Sequence, residues 1–164
     1  MTVLVAAASK HGATREIAET IGRVLAERGV ETEVLDVGQV ADAAGYEAVV
    51  LGSAIYMGTW LEPARTFVEE HGDELAARPT WLFSSGPVGS PPQPPPDKAV
   101  QIDPILARTR AREHRLFAGR IDKHDLGLAE RTVMRAVRAT EGDFRNWDDV
   151  TAWAAGIANA LRDG

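Results

Sequence analysis

Apolar positions follow two rhythms along this chain. Val3, Leu4 and Val5 form a continuous run ending in Ala6, Ala7 and Ala8, and the polar stretch Ser9 to Thr14 comes next. Ile17, Ile21 and Val24/Leu25 then recur at helical spacing, which predicts a helix from Gly12 or Ala13 to about Arg28 with Gly29 as its stop. Glu31–Asp36 reads as a short, charged strand near a sheet edge. Gly38 to Gly45 has room for only a turn or two of helix. The run Ala48-Val49-Val50-Leu51 within Tyr46–Gly52 suits a strand covered on both faces, and a loop over 53–59 follows. A second helix is expected from Thr59 or Trp60 to near Ala77. Pro63 lies in its first turn, and Leu61, Ala64, Phe67, Val68 and Leu75 face inward. Thr80–Ser84 is the fourth strand and opens into a third loop over 85–90. Five prolines between Pro91 and Asp97 make an extended surface segment. Lys98–Glu113 can form a helix started late by Pro104, and His114–Ile121 is the fifth strand. Asn146 caps a last helix with Val150, Trp153, Ile157 and Leu161 as its apolar stripe.

Strand and helix alternate throughout, which predicts an α/β fold with a doubly wound parallel sheet. On such sheets ligands sit beyond the carboxyl ends of the strands, where the loops 9–14, 53–59 and 85–90 converge. The first loop has the chemistry to hold a phosphate. Amides at a helix start point into it, Ser9 and Thr14 add hydroxyls, and Gly12 lets backbone come close. An ordinary strand-to-helix turn capped by Thr is the plainer alternative.

Composition narrows the chemistry. A chain of 164 residues is expected to form a single domain, with an insertion at about 122–145. The absence of cysteine excludes thiol nucleophiles, disulfides and cysteine-ligated metals, and fits a cytoplasmic location. No leader peptide or apolar run of membrane-spanning length is evident. A net charge of −6 argues against nucleic acid as a partner. Charge is uneven, however. Between Arg108 and Arg138, basic residues outnumber acidic ones nine to four. His71, His114 and His124 have no metal-ligand spacing, and Asp148 and Asp149 suit a helix start without any catalytic role.

Ser9, Gly12, Thr14, Ala18 and Ile21 have the spacing of the phosphate signature of the flavodoxin superfamily, which this chain resembles. Ala7 stands where that family has Phe or Tyr, and Ala6 where it has a larger aliphatic residue. The resemblance implies a flavodoxin-like five-stranded sheet of order 2-1-3-4-5 with helices on both faces, and FMN as cofactor. It places the FMN phosphate on Ser9, Lys10, His11, Gly12, Ala13 and Thr14. The flavin ring would lie against Ala54, Ile55, Tyr56, Met57 and Gly58, with Tyr56 as stacking partner and Met57 or Trp60 as lesser candidates. Ser84, Ser85, Gly86, Pro87, Val88 and Gly89 would line its other side.

Within the superfamily, the menaquinone-dependent protoporphyrinogen dehydrogenase branch is the nearer likeness. Thr14-Arg15-Glu16-Ile17-Ala18, Gly52-Ser53-Ala54-Ile55-Tyr56-Met57-Gly58 and the insertion carry it. This implies an oxidoreductase that passes electrons or hydride from an organic substrate to a quinone-type acceptor. A non-enzymatic electron carrier between redox proteins is the alternative. No residue is assigned as acid or base. In the insertion, Leu126–Thr140 can form a helix with Leu126, Val133, Met134 and Val137 on one side and Arg131, Arg135 and Arg138 on another. That pattern fits a surface helix packed on the sheet edge, or a peripheral contact with the inner face of a membrane.

Overall fold

A computed structural model describes residues 2–10, 12–86, 100–118, 120–121, 142–143 and 145–163. Strand β1 (Thr2–Ala8) leads into helix α1 (Ala13–Glu27), β2 (Glu31–Asp36), a 3₁₀ turn (Val37–Gln39), β3 (Ala48–Tyr56) and β4 (Thr59–Trp60). After α2 (Glu62–Ala76) come β5 (Thr80–Ser85), α3 (Asp103–Thr109), β6 (Glu113–Phe117), β7 (Arg120–Ile121), β8 (Gly142–Asp143) and α4 (Trp147–Asp163). The main sheet is ordered β2-β1-β3-β5-β6, and all four pairings along it are parallel. Counting only those five strands, the order is the predicted 2-1-3-4-5. The charged strand β2 takes an edge, as its composition requires.

Both faces of the sheet are covered, which is why its strands read as unbroken apolar runs. Val3, Val5 and Ala7 pack with α1 and α4, and Leu4, Ala6 and Ala8 pack with α2 and Ile105 of α3. On the first face Phe83, Phe117 and Trp153 meet with ring centroids 5.5–6.2 Å apart, in tilted and edge-on contacts that suit aromatic quadrupoles. Trp153 also donates its indole N–H to Glu113 at the start of β6.

Several elements depart from the sequence reading. Strand β3 runs on to Tyr56 and turns back through Met57 and Gly58 into β4, pairing Ile55 with Trp60 and Tyr56 with Thr59. The expected loop 53–59 is therefore a strand end and a tight hairpin, so α2 starts only at Glu62. Leu61 precedes it in extended conformation, and Leu61 N–H donates to Ser53 Oγ at 3.0 Å. Helix α3 spans only Asp103–Thr109. Pro104 sets its start, and Arg110 ends it with a left-handed backbone (φ 51°). The expected fifth strand divides into β6, which stays in the sheet, and β7, which leaves to pair antiparallel with β8. The helix predicted over Leu126–Thr140 lies outside the described residues, as does the proline segment 91–97.

Candidate functional site

Register brings the strand ends together. Ala8 pairs with Ser53, Ser53 with Ser84, and Ser84 with Leu116, so the segments that follow β1, β3 and β5 leave the sheet along one edge. Sheet geometry thus gathers the loops that sequence order had separated.

The first loop is built to present amides. Gly12 is the N-cap of α1 with φ 87°, a left-handed conformation that disfavours any side chain, and no side chain caps the helix. The first helical bond runs from Glu16 N–H to Gly12 O (3.1 Å). Ser9 Oγ accepts the Gly12 N–H at 2.9 Å, so its own O–H stays available to donate. Thr14 is 2 % exposed, and its hydroxyl bonds to no described residue. An uncapped helix start with two hydroxyls beside it favours an anion. Lys10 Nζ lies 4.3 Å from the Tyr56 ring centroid, which couples this loop to the next. His11 lies outside the described residues.

In the hairpin, Met57 (φ 54°) and Gly58 (φ 78°) both take positive φ, the pattern of a two-residue type I′ turn. This turn pushes Tyr56 and Met57 out of the fold, to 39 % and 70 % exposure. Ala54 and Ile55, half-buried, belong to the last residues of β3. The chain returning after the proline segment is tied here too, with Gln101 N–H donating to Gly58 O at 2.9 Å.

The third loop opens differently from expectation. Ser84 and Ser85 are buried residues of β5, and Gly86 donates its N–H to Phe117 O at 3.2 Å. A side chain at Gly86 would press on Ile55, so the ends of β3 and β5 touch there. Pro87, Val88 and Gly89 lie outside the described residues. Trp60, a lesser candidate for stacking, is turned inward and 1 % exposed. Its Nε1–H donates to Ser84 Oγ at 2.7 Å, and Ser84 Oγ lies 2.7 Å from His114 Nε2. Burial pushes the His114 imidazole below its usual pKa, favouring the neutral ring. Trp60 donates to Ser84, and the neutral His114 ring meets the same hydroxyl through Nε2, accepting or donating according to its tautomer. Sequence reading gave no sign of this cluster, because its members are 24 and 30 residues apart.

A second feature escaped the sequence. Arg145 Nη1 reaches Glu16 Oε2 at 2.5 Å and the Ala13 carbonyl at 3.4 Å, and its guanidinium stacks 4.6 Å from the Trp147 ring centroid. This side chain from the far end of the chain braces the turn that starts α1. No group of residues suited to hold a metal occurs among the described residues. None of the described helices is long and apolar enough to cross a membrane.

Fold and site together define a doubly wound α/β protein with an uncapped helix start at the edge where the strands end. Residues 4–148 match the family model described as a flavodoxin domain, and the chain belongs to that family, whose members bind flavin, typically FMN. It is 28 % identical over 95 residues to protoporphyrinogen IX dehydrogenase [quinone] of Escherichia coli (strain K12), covering 57 % of this chain and 52 % of that one. Against the enzyme of the same name from Leishmania major it is 38 % identical over 76 residues, covering 44 % and 33 %. The matches thus span about half the length of these curated relatives, or less. Among solved structures, a flavodoxin from the domain Archaea has a TM-score of 0.66 at 17 % identity, covering 99 % of both chains. Oxidised flavodoxin 1 from Bacillus cereus has a TM-score of 0.65 at 18 % identity, covering 97 % of this chain and 98 % of that one. At those identities the likeness concerns the fold.

Proposed function

We propose that this chain binds FMN and acts as an oxidoreductase, passing electrons or hydride from an organic substrate to a quinone-type acceptor. The observation that carries the reading is the start of α1: a left-handed Gly12, no side-chain cap, and the Ser9 and Thr14 hydroxyls within one turn. These groups fit a phosphate monoester, which needs several convergent donors and tolerates no nearby Cβ. Tyr56, half-exposed one loop away and held by Lys10, fits a planar ring beside that phosphate. When bound, the flavin supplies the redox chemistry.

The chain's own part is binding and orientation. Ser9, Gly12, Ala13 and Thr14 hold the phosphate, with Lys10 and His11 at its rim. Ala54, Ile55, Tyr56, Met57 and Gly58 form one wall, and Ser85 to Gly89 form the other. Ser84 works from beneath, fixing Trp60 under the hairpin. The likeness to two protoporphyrinogen dehydrogenases, and the insertion between β7 and β8, favour an enzyme that meets a quinone or a porphyrinogen. A redox protein as partner, with the chain as a simple electron carrier, is the second reading, favoured by the net charge of −6.

Anaerobic reductive titration of the purified protein, followed by its visible spectrum, tests this. A flavin spectrum and two-electron reduction with quinone turnover are expected. Protein that shows no flavin spectrum and no FMN affinity after dialysis overturns the assignment. Stepwise one-electron reduction without turnover favours the carrier. Thr14→Ala and Ser9→Ala are expected to reduce FMN occupancy, and unchanged occupancy refutes the phosphate seat.

A further inference from the structure

Glu16 lies in the first turn of α1, where a carboxylate suits the helix dipole if that end is otherwise empty. A phosphate dianion at the same helix start reverses that preference, because a bare carboxylate nearby then repels the ligand. The fold brings a counter-charge from 129 residues away. Arg145 Nη1 sits 2.5 Å from Glu16 Oε2, and the Arg145 side chain is 4 % exposed against 44 % for Glu16. The same nitrogen lies 3.4 Å from the carbonyl of Ala13, the first helical residue. Trp147 backs the guanidinium, so its position is fixed from three sides. Arg15 is a solvent-facing partner of Glu19 at 3.7 Å, and Lys10 lies over Tyr56.

We infer that Arg145 is a positioning residue of the phosphate loop: it cancels the Glu16 carboxylate and holds the Ala13 carbonyl, so that the start of α1 keeps its affinity for a phosphorylated ligand. The inference rests on the FMN reading above and adds to it a residue outside the loop. It also gives the β7–β8 ribbon a role, because the chain leaving β8 at Asp143 delivers Arg145 to α1 two residues later.

The test separates phosphate recognition from ring binding. FMN and riboflavin affinities, read by quenching of flavin fluorescence, are compared for the wild-type chain, Arg145→Ala, Glu16→Gln and the double variant. Arg145→Ala is expected to weaken FMN roughly tenfold and riboflavin by less than about twofold, since only FMN carries the charge that Glu16 repels. Glu16→Gln is expected to bind FMN as tightly as wild type or more so. The double variant is expected to return to within about threefold of wild type, because removing both charges removes the imbalance. Should Arg145→Ala fail to fold, as judged by its apo thermal midpoint, Arg145→Lys replaces it: it keeps the charge but loses the planar stack on Trp147, so FMN is expected to weaken by less than about tenfold. Equal weakening of FMN and riboflavin, a double variant as weak as Arg145→Ala, or a tenfold loss in Arg145→Lys overturns the inference. A wild-type chain that does not prefer FMN to riboflavin overturns the phosphate reading itself, and does so before any variant is made.

Discussion

Removing one oxygen atom, by Ser84→Ala, is a sharp test of the buried chain beneath the hairpin. The substitution leaves almost no cavity, so its cost is the loss of hydrogen bonds alone. Trp60 Nε1–H, in a residue 1 % exposed, loses its acceptor, and His114 Nε2 loses its partner. An orphaned buried donor costs about 1–3 kcal/mol, and His114, being only partly buried, can turn to water and adds little. The expected loss is about 2 kcal/mol, which at ~2–4 °C per kcal/mol for a chain of this size lowers the melting midpoint by about 4–8 °C. Urea denaturation followed by tryptophan fluorescence measures it, with Trp60→Phe and the double variant completing a cycle. Trp60→Phe removes the orphaned donor, so the double variant is expected to cost about 1–2 kcal/mol less than the sum of the single changes. A loss under about 0.5 kcal/mol in Ser84→Ala, or strict additivity in the cycle, refutes the Trp60–Ser84 hydrogen bond as a stabilising contact.

The other predictions follow from single contacts. His114 has its folded pKa held below the unfolded value near 6.5, so the unfolded state binds the extra proton and stability falls as pH drops below about 6.5. Denaturation midpoints between pH 7.5 and 5 are expected to show that slope in wild type and to lose part of it in His114→Gln. The Asp73 and Glu74 carboxyls, lowered by hydrogen bonds from Arg108 and His71, add their losses at more acidic pH. Gly52→Ala presses a Cβ into the Phe83 ring, which is locked among Phe117 and Trp153. A loss of about 1–3 kcal/mol is expected from the overpacking, measured by the same denaturation, and a neutral result shows that the ring can shift. Met57→Asn suits the positive φ of the hairpin turn, and Met57 is 70 % exposed, so little packing is lost. A gain of about 0.5–1 kcal/mol is expected, and destabilisation indicates that Met57 makes a contact the turn geometry does not require.

Much of the architecture was legible because local signals agreed with one another. The run Val3–Ala8 and the periodic Ile17, Ile21 and Leu25 set β1 and α1, and charges on Glu31, Glu33 and Asp36 placed β2 at an edge. Gly12 and Ser9 marked the turn that starts α1, since a left-handed N-cap and a backbone-bonding hydroxyl are local features. Strand β3 was harder to bound. Gly52 and Ser53 interrupt its apolar run, and its last residues are held extended by pairing of Ala54 with Ser85, Ile55 with Trp60 and Tyr56 with Thr59. Tyr56 read as the stacking partner of a flavin, with Trp60 a lesser candidate; Tyr56 is exposed, whereas Trp60, four residues on, points inward.

Sequence by itself thus determined the alternation of strand and helix, the edge where the loops gather and the chemistry of the first loop. These depend on periodicity, turn residues and spacing within about ten positions. Tertiary structure alone decided which distant side chains meet there: Trp60 with Ser84 and His114 beneath the hairpin, and Arg145 with Glu16 at the helix start. Such pairs carry no spacing signal, because parallel crossovers set their separation in the chain while register and packing set their distance in space.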